Sequence, residues 1–134
     1  MTGYLLDTNA WIALMKGNGG VTAGVQRVGV QALYLCSPVW FELWFGACKS
    51  QRVAHNQAKV RDLASQVASL PFDDKAAEVC GEIRALLASQ GRPIGPYDLQ
   101  IAAIARATGL CLVTHNVSEF NRVPDLQIEN WQGT

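Results

Sequence analysis

Residues 95–119 read GPYDLQIAAIARATGLCLVTHNVSE, and their pattern decides the fold class. Gly95-Pro96 makes a rigid turn, an apolar helical pattern follows over 97–108, and Gly109 closes that helix. The chain then enters the short apolar run 110–114 and leaves it through polar residues that include Glu119. Working outward, similar apolar runs lie at 4–6, 33–36, 70–72 and 126–129, with helical patterns near 9–16, 21–30, 38–51, 54–69 and 74–90. Such alternation predicts an α/β sandwich built around a mostly parallel sheet. Ser37-Pro38 supplies an expected N-cap and first-turn proline for the third helix, and Asp73 with Asp74 caps the fifth.

The length of 134 residues is enough for one domain, 1–134, with a real core, and too short for two. With 49% apolar residues the chain is not of the disordered class. The 11 basic and 11 acidic residues cancel, so any nucleic-acid surface must be local or assisted by metal ions. No apolar run reaches the length of a membrane span, and the basic start and apolar stretch of a secretory signal are missing, so a cytosolic protein is expected. Cys36, Cys48, Cys80 and Cys111 show no C-x-x-C spacing, and His55 and His115 complete no ligand pattern. Four buried, reduced thiols are expected.

Four acids fall where a parallel sheet would gather them. Asp7 follows the first apolar run, Glu42 lies about one turn into the helix after the second, Asp98 opens the helix before 110–114, and Glu119 follows that run. Ligands of open α/β sheets collect at the carboxyl ends of strands. Each acid also has a plainer reading. Asp7 can cap the helix near Asn9, Asp98 can be an ordinary helix start whose dipole favours its ionised form, and Glu119 can be solvated. Glu42 is harder to dismiss, being the one charge in the aromatic stretch SPVWFELWFGA. Carboxylates brought together repel and are costly to bury, and a divalent cation relieves both penalties. An oxygen-only set suits Mg²⁺ or Mn²⁺, and a pair of ions roughly 3.5–4 Å apart would serve phosphodiester hydrolysis. No G-x-S-x-G, P-loop or H-E-x-x-H offers another hydrolytic set.

Taken together, LLDTNAW (5–11), SPVWFELWFGACKSQ (37–51) and GRPIGPYDLQIAAIARATGLCLVTHNVSEFNRVPDLQIENW (91–131) closely resemble the VapC toxins, PIN-domain ribonucleases of bacterial toxin–antitoxin pairs. The likeness is strongest over 91–131 and weakest over 17–35 and 52–70. It implies a three-layer α/β/α PIN-like fold and a Mg²⁺-dependent endoribonuclease that inhibits translation. By motif position it assigns Asp7, Glu42 and Asp98 to the principal acidic residues and Glu119 to the fourth, a place for which Asn116 is a neighbouring candidate. Asp7 and Asp98 would hold metal most directly, and Glu42 and Glu119 through water or at a second ion.

Thr8, Asn9, Thr114 and Asn116 are the polar neighbours that can orient a carboxylate or a water, although Asn9 can equally cap a helix. His115 stays outside the catalytic set, with a substrate contact as one reading. Lys49, Arg52, Lys59 and Arg61 are candidates for local RNA contact, or else an ordinary solvated helix surface. The resemblance further implies a homodimer, a VapB-type antitoxin partner, and initiator transfer RNA, cut in its anticodon stem-loop, as the leading target. Trp40, Phe41, Trp44 and Phe45 can line the antitoxin groove or the dimer seam, with at least two of them expected in the core. A catalytically inactive PIN-like binding module is the rival. A haloacid-type phosphatase would need D-x-D where Asn9 stands, and a phospho-receiver would need a lysine where THN stands.

Overall fold

The computed structural model describes residues 2–133. Within them β1 (Tyr4–Leu6), β2 (Leu33–Cys36), β3 (Ala68–Leu70), β4 (Cys111–Val113) and β5 (Ile128–Glu129) form one sheet. All four pairings are parallel, and the strand order is β3-β2-β1-β4-β5. Between and after the strands run α1 (Thr8–Met15), α2 (Gly19–Val28), α3 (Ser37–Cys48), α4 (Val53–Gln66), α5 (Asp74–Ser89), α6 (Pro96–Thr108) and α7 (Val117–Phe120). Successive strand residues point to opposite faces. Leu5 and Leu6 are both fully buried, as are Leu112 and Val113 to within 1%, so helices must cover both faces of the central strands. The molecule is therefore the expected three-layer α/β/α sandwich. No helix among the described residues is long and apolar enough to cross a membrane.

The strand order creates a switch point. From β1 the chain builds outward through β2 and β3, then returns to place β4 on the other flank of β1. A crevice opens at the carboxyl ends of strands where the winding reverses. Here that is the gap between β1 and β4, and Asp7 stands in it, its N–H donating to the Val113 carbonyl at 3.0 Å.

Several boundaries differ from the sequence expectation, each for a local reason. The third strand is Ala68–Leu70 rather than 70–72, because Pro71 has no N–H to continue the ladder with β2. Ser37 is the first residue of α3, not its cap: Cys36 holds the cap position, without a side-chain bond. The helix expected over 21–30 is α2 followed by a 3-10 turn at Val30–Ala32, broken by Gly29 at φ 87°. The turn α7 has no counterpart in the expected helices. Cys36 and Cys111 are buried free thiols, but Cys80 is only partly buried and Cys48, the last residue of α3, is exposed.

α2 docks through its glycines. A Cβ on Gly24 would stand 2.5 Å from the ring of Trp131, and one on Gly20 would meet the Trp131 backbone carbonyl. Trp131 also packs against Tyr4, with ring centroids 5.4 Å apart, and donates from Nε1 to Glu129 at 2.9 Å. Gly24→Leu should therefore destabilise the fold by about 1–3 kcal/mol through overpacking, despite better helix propensity. A urea midpoint lowered at unchanged slope would register it; an unchanged midpoint would mean that Trp131 moves aside freely.

Candidate active site

Asp7 is 5% exposed and one of two buried polar side chains among the described residues, the other being its partner Thr114. Its two oxygens have separate tasks. Oδ1 accepts from the Ala10 N–H at 2.9 Å, which caps α1, and Oδ2 accepts from the Thr114 hydroxyl at 2.6 Å. Capping and membership of the site are thus compatible, because a carboxylate has lone pairs enough for both. Burial pushes the Asp7 carboxyl up from its ordinary range, the Thr114 and Ala10 bonds oppose that, and the charge of Glu42 adds to it.

Each of the other acids is held by a neighbour. Thr8, the first residue of α1, donates to Glu42 Oε1 at 2.7 Å and so ties α1 to α3. Asn116 donates from Nδ2 to Glu119 Oε2 at 2.6 Å, and the Gly95 N–H donates to Glu119 Oε1 at 3.1 Å. The Thr114 hydroxyl also accepts from the Asn116 N–H at 3.0 Å, linking the Asp7 and Glu119 supports in one chain. Thr8, Thr114 and Asn116 therefore stand where the sequence placed carboxylate-orienting groups. Asn9 does not: it is an exposed residue of α1, and Asp7 takes the cap that Asn9 was a candidate for.

Asp98, third residue of α6, lies among the other three acids. Burial pushes its carboxyl up to about 7, and the charges of Glu119, Asp7 and Glu42 push the same way. A helix N-terminus was expected to favour the ionised form; here burial and three like charges outweigh the dipole. Glu119 is its counterpart. Burial raises it, but the bonds from Asn116, Gly95 and Asp98 and the charge of Arg122 bring it below its ordinary value. The two carboxyls titrate as a coupled pair, with Asp98 pushed up and Glu119 pulled down.

The structure thus brings Asp7, Glu42, Asp98 and Glu119 to one edge of the sheet. None of the four forms an ion pair among the described residues, where the one such pair is Arg27–Glu129 at 3.4 Å; Arg122 acts on Glu119 only at longer range. Nor, as the side chains stand, do any three His, Cys, Asp or Glu groups converge on one metal-sized point among the described residues. Mg²⁺ is bound by one or two carboxylates with waters filling the octahedron, so a threefold convergence is not required of its site. The donor set is carboxylate oxygen throughout, and burial together with its mutual repulsion pushes the Asp98 carboxyl up to about 7. That chemistry fits a hard divalent cation.

The basic candidates do not join the acids. Lys49 Nζ lies 5.0 Å from the Phe45 ring centroid and Arg61 Cζ 4.9 Å from that of Trp44, while Arg52 is exposed just before α4. Lys59 borders a cavity of about 430 Å³ between α1, α3 and α4, across from Lys16, which the sequence reading passed over. Of the four aromatics on α3, Trp40 and Trp44 pack against the core, while Phe41 and Phe45 are 49% and 56% exposed. Gly95 and Arg122 were also missed. Arg122 follows Glu119 by three residues, a helical spacing that could have flagged it, and it ties down the neighbouring loop by donating to the Pro93 carbonyl at 2.9 Å.

Thr114→Val should lower any activity of this site by about 10–100-fold with the fold retained, since it removes a bond to Asp7 and an acceptor for Asn116. Unchanged turnover beside an unchanged circular dichroism spectrum would show that Asp7 needs no such support.

With this geometry in place, the comparisons with known proteins are direct. The family model described as PIN domain matches residues 4–126. The tRNA(fMet)-specific endonuclease VapC of Shigella flexneri is 39% identical over 131 residues, covering 98% of this chain and 99% of its own. Ribonuclease VapC2 of Haemophilus influenzae is 37% identical with the same coverage. Among solved structures, a DNA-bound VapBC from Salmonella typhimurium superposes with a TM-score of 0.91 at 37% identity, covering 98% of this chain and 99% of that one. The chain belongs to the PIN-domain family, in its VapC branch.

Proposed function

We propose that the protein is the endoribonuclease toxin of a VapBC-type pair, cutting RNA phosphodiesters with Mg²⁺ or Mn²⁺ and so stopping translation. The observation that carries this reading is the set of four carboxylates gathered at the β1/β4 switch point, none of them in an ion pair among the described residues. Asp7 and Asp98 would hold the ion most directly, with Glu42 and Glu119 reaching it through water. When bound, such an ion supplies charge neutralisation of the scissile phosphate and a more acidic water. The protein's own contribution is placement. Thr114 and the Ala10 N–H fix Asp7, Thr8 fixes Glu42, and Asn116 with Gly95 fixes Glu119. Water attacks phosphorus as the bond to the 3′-oxygen breaks, a carboxylate takes the water's proton, and the departing 3′-oxygen takes a proton from solvent. The products are then a 5′-phosphate and a 3′-hydroxyl.

The relatives named as tRNA(fMet)-specific endonucleases make initiator tRNA the leading target. The VapBC complexes among the structural neighbours support a VapB-type antitoxin as partner. Phe41 and Tyr97, packed edge-on at 5.2 Å, together with Phe45 offer exposed apolar surface for a second copy or for that antitoxin. The experiment is cleavage of a bulk tRNA pool by antitoxin-free protein with Mg²⁺, with EDTA, and as Asp7→Ala. Discrete fragments that vanish under both treatments are expected. A well-folded protein inert with Mg²⁺ and Mn²⁺ would instead be an inactive PIN-like binding module.

A further inference from the structure

His115 stands between Thr114, which holds Asp7, and Asn116, which holds Glu119, yet its own exposed side chain bonds neither acid. What it does touch is determined by the sheet. The β4–β5 ladder ends with the Thr114 N–H donating to the Glu129 carbonyl at 3.0 Å, so the next residues, His115 and Asn130, come together. His115 Nδ1 lies 3.4 Å from Asn130 Oδ1.

The Asn130 amide can face only one way. Its Oδ1 accepts from the Gln132 N–H at 3.0 Å, and its Nδ2 donates to the Gly133 carbonyl at 3.0 Å. A backbone N–H only donates and a carbonyl only accepts, so exchanging oxygen and nitrogen would break both bonds. The atom facing His115 is therefore an acceptor, which favours the tautomer with the proton on Nδ1. In the neutral ring that leaves Nε2 with its lone pair free.

An acceptor at this edge calls for a donor on the substrate. On the nuclease reading, which this inference rests on, the groups an RNA brings to the carboxylates are phosphate oxygens, which only accept, and ribose hydroxyls. The 2′-hydroxyl is the donor beside every phosphate, and it is the group that tells RNA from DNA. We propose that His115 is a substrate-contact residue whose Nε2 accepts a hydrogen bond from a ribose 2′-hydroxyl flanking the scissile phosphate. Asn130 is the positioning residue that sets the tautomer. The contact reads sugar rather than base, so it acts on any RNA sequence the rest of the cleft admits.

The test pairs enzyme and substrate deletions. Wild-type protein, His115→Ala and Asn130→Ala are each given an oligoribonucleotide spanning the cleavage site, and copies with one 2′-deoxynucleotide on either side of the scissile phosphate. One deoxy position should lower wild-type kcat/KM about tenfold. His115→Ala should be about tenfold slower on all-RNA substrate and lose less than about twofold more at that position. Nitrogen-15 NMR of the imidazole at alkaline pH should show one Nδ1–H tautomer in the wild type and a mixture in Asn130→Ala. Equal deoxy losses with and without His115, no loss at either position, or a mixed tautomer in the wild type would each overturn the inference alone. No cleavage by the wild type would overturn the nuclease reading and this inference with it.

Discussion

Asp98→Asn is expected to leave the metal-free protein more stable and nearly inactive. The carboxyl sits at about 7 because burial and the charges of Glu119, Asp7 and Glu42 oppose its ionisation. In the unfolded chain it titrates near its ordinary value of 3.8, so between the two values the folded state binds more protons than the unfolded one. Stability therefore falls as pH rises through that window, and the penalty is complete above about 7. Asparagine removes the charge and keeps the size. At pH 8 it should raise Tm by several degrees, corresponding to about 1–2 kcal/mol after solvent screening of a part-exposed group. Near pH 4, where the aspartic acid is itself largely neutral in the fold, the two proteins should melt together. Mg²⁺ added at pH 8 should raise the Tm of the wild type and leave that of the variant nearly unchanged. Activity should drop by roughly 100-fold or more, since one of the two carboxylates that would hold the ion most directly is lost. A variant that melts at or below the wild type at pH 8 would mean that Asp98 is not under carboxylate repulsion.

Trp11→Ala should produce a large loss of stability. Trp11 is fully buried and heads the large buried side chains of the core, so its removal leaves a cavity that α1 cannot close. The expected cost is about 3–5 kcal/mol, a large share of the roughly 5–15 kcal/mol available to a domain of this size. The indole Nε1 has no hydrogen-bond partner among the described residues, so Trp11→Phe deletes a donor that no protein group satisfies there, along with part of the ring. That change should cost less than half as much as alanine. Equal losses for phenylalanine and alanine in urea unfolding would show that the indole N–H is satisfied in solution.

Much of the site was legible because its supports are local. The Asp7 cap on Ala10 and the Asn116–Glu119 bond each span three residues, and short-range spacing in sequence is short-range distance in a turn. Glu42 stood out for a different reason, as a lone acid in an aromatic helix. Misreadings arose where local pattern was ambiguous or silent. Asn9 and Asp7 compete for one cap, and only the path of the backbone chose between them. Cys48 follows the apolar stretch Phe45-Gly46-Ala47 in sequence, yet the end of α3 turns it to solvent. The basic cluster over 49–61 is contiguous in sequence but divides in space, because successive helical residues point in different directions.

By itself, then, the sequence determined the alternation of helix and strand, the stop at Gly109, and the list of acids with their order along the chain. These follow from side-chain periodicity and from backbone preferences that each segment carries alone. Which acids meet was decided by the tertiary structure. Thr114 reaches Asp7 across 107 residues because β4 pairs with β1 in parallel register, and Asp98 and Glu119 titrate together because α6 and α7 are brought to the same edge. No local propensity encodes that meeting. It is chosen by burial of both faces of the central strands, and the cost of crowding four carboxylates is set by the dielectric and by neighbours that exist only once the sheet has closed.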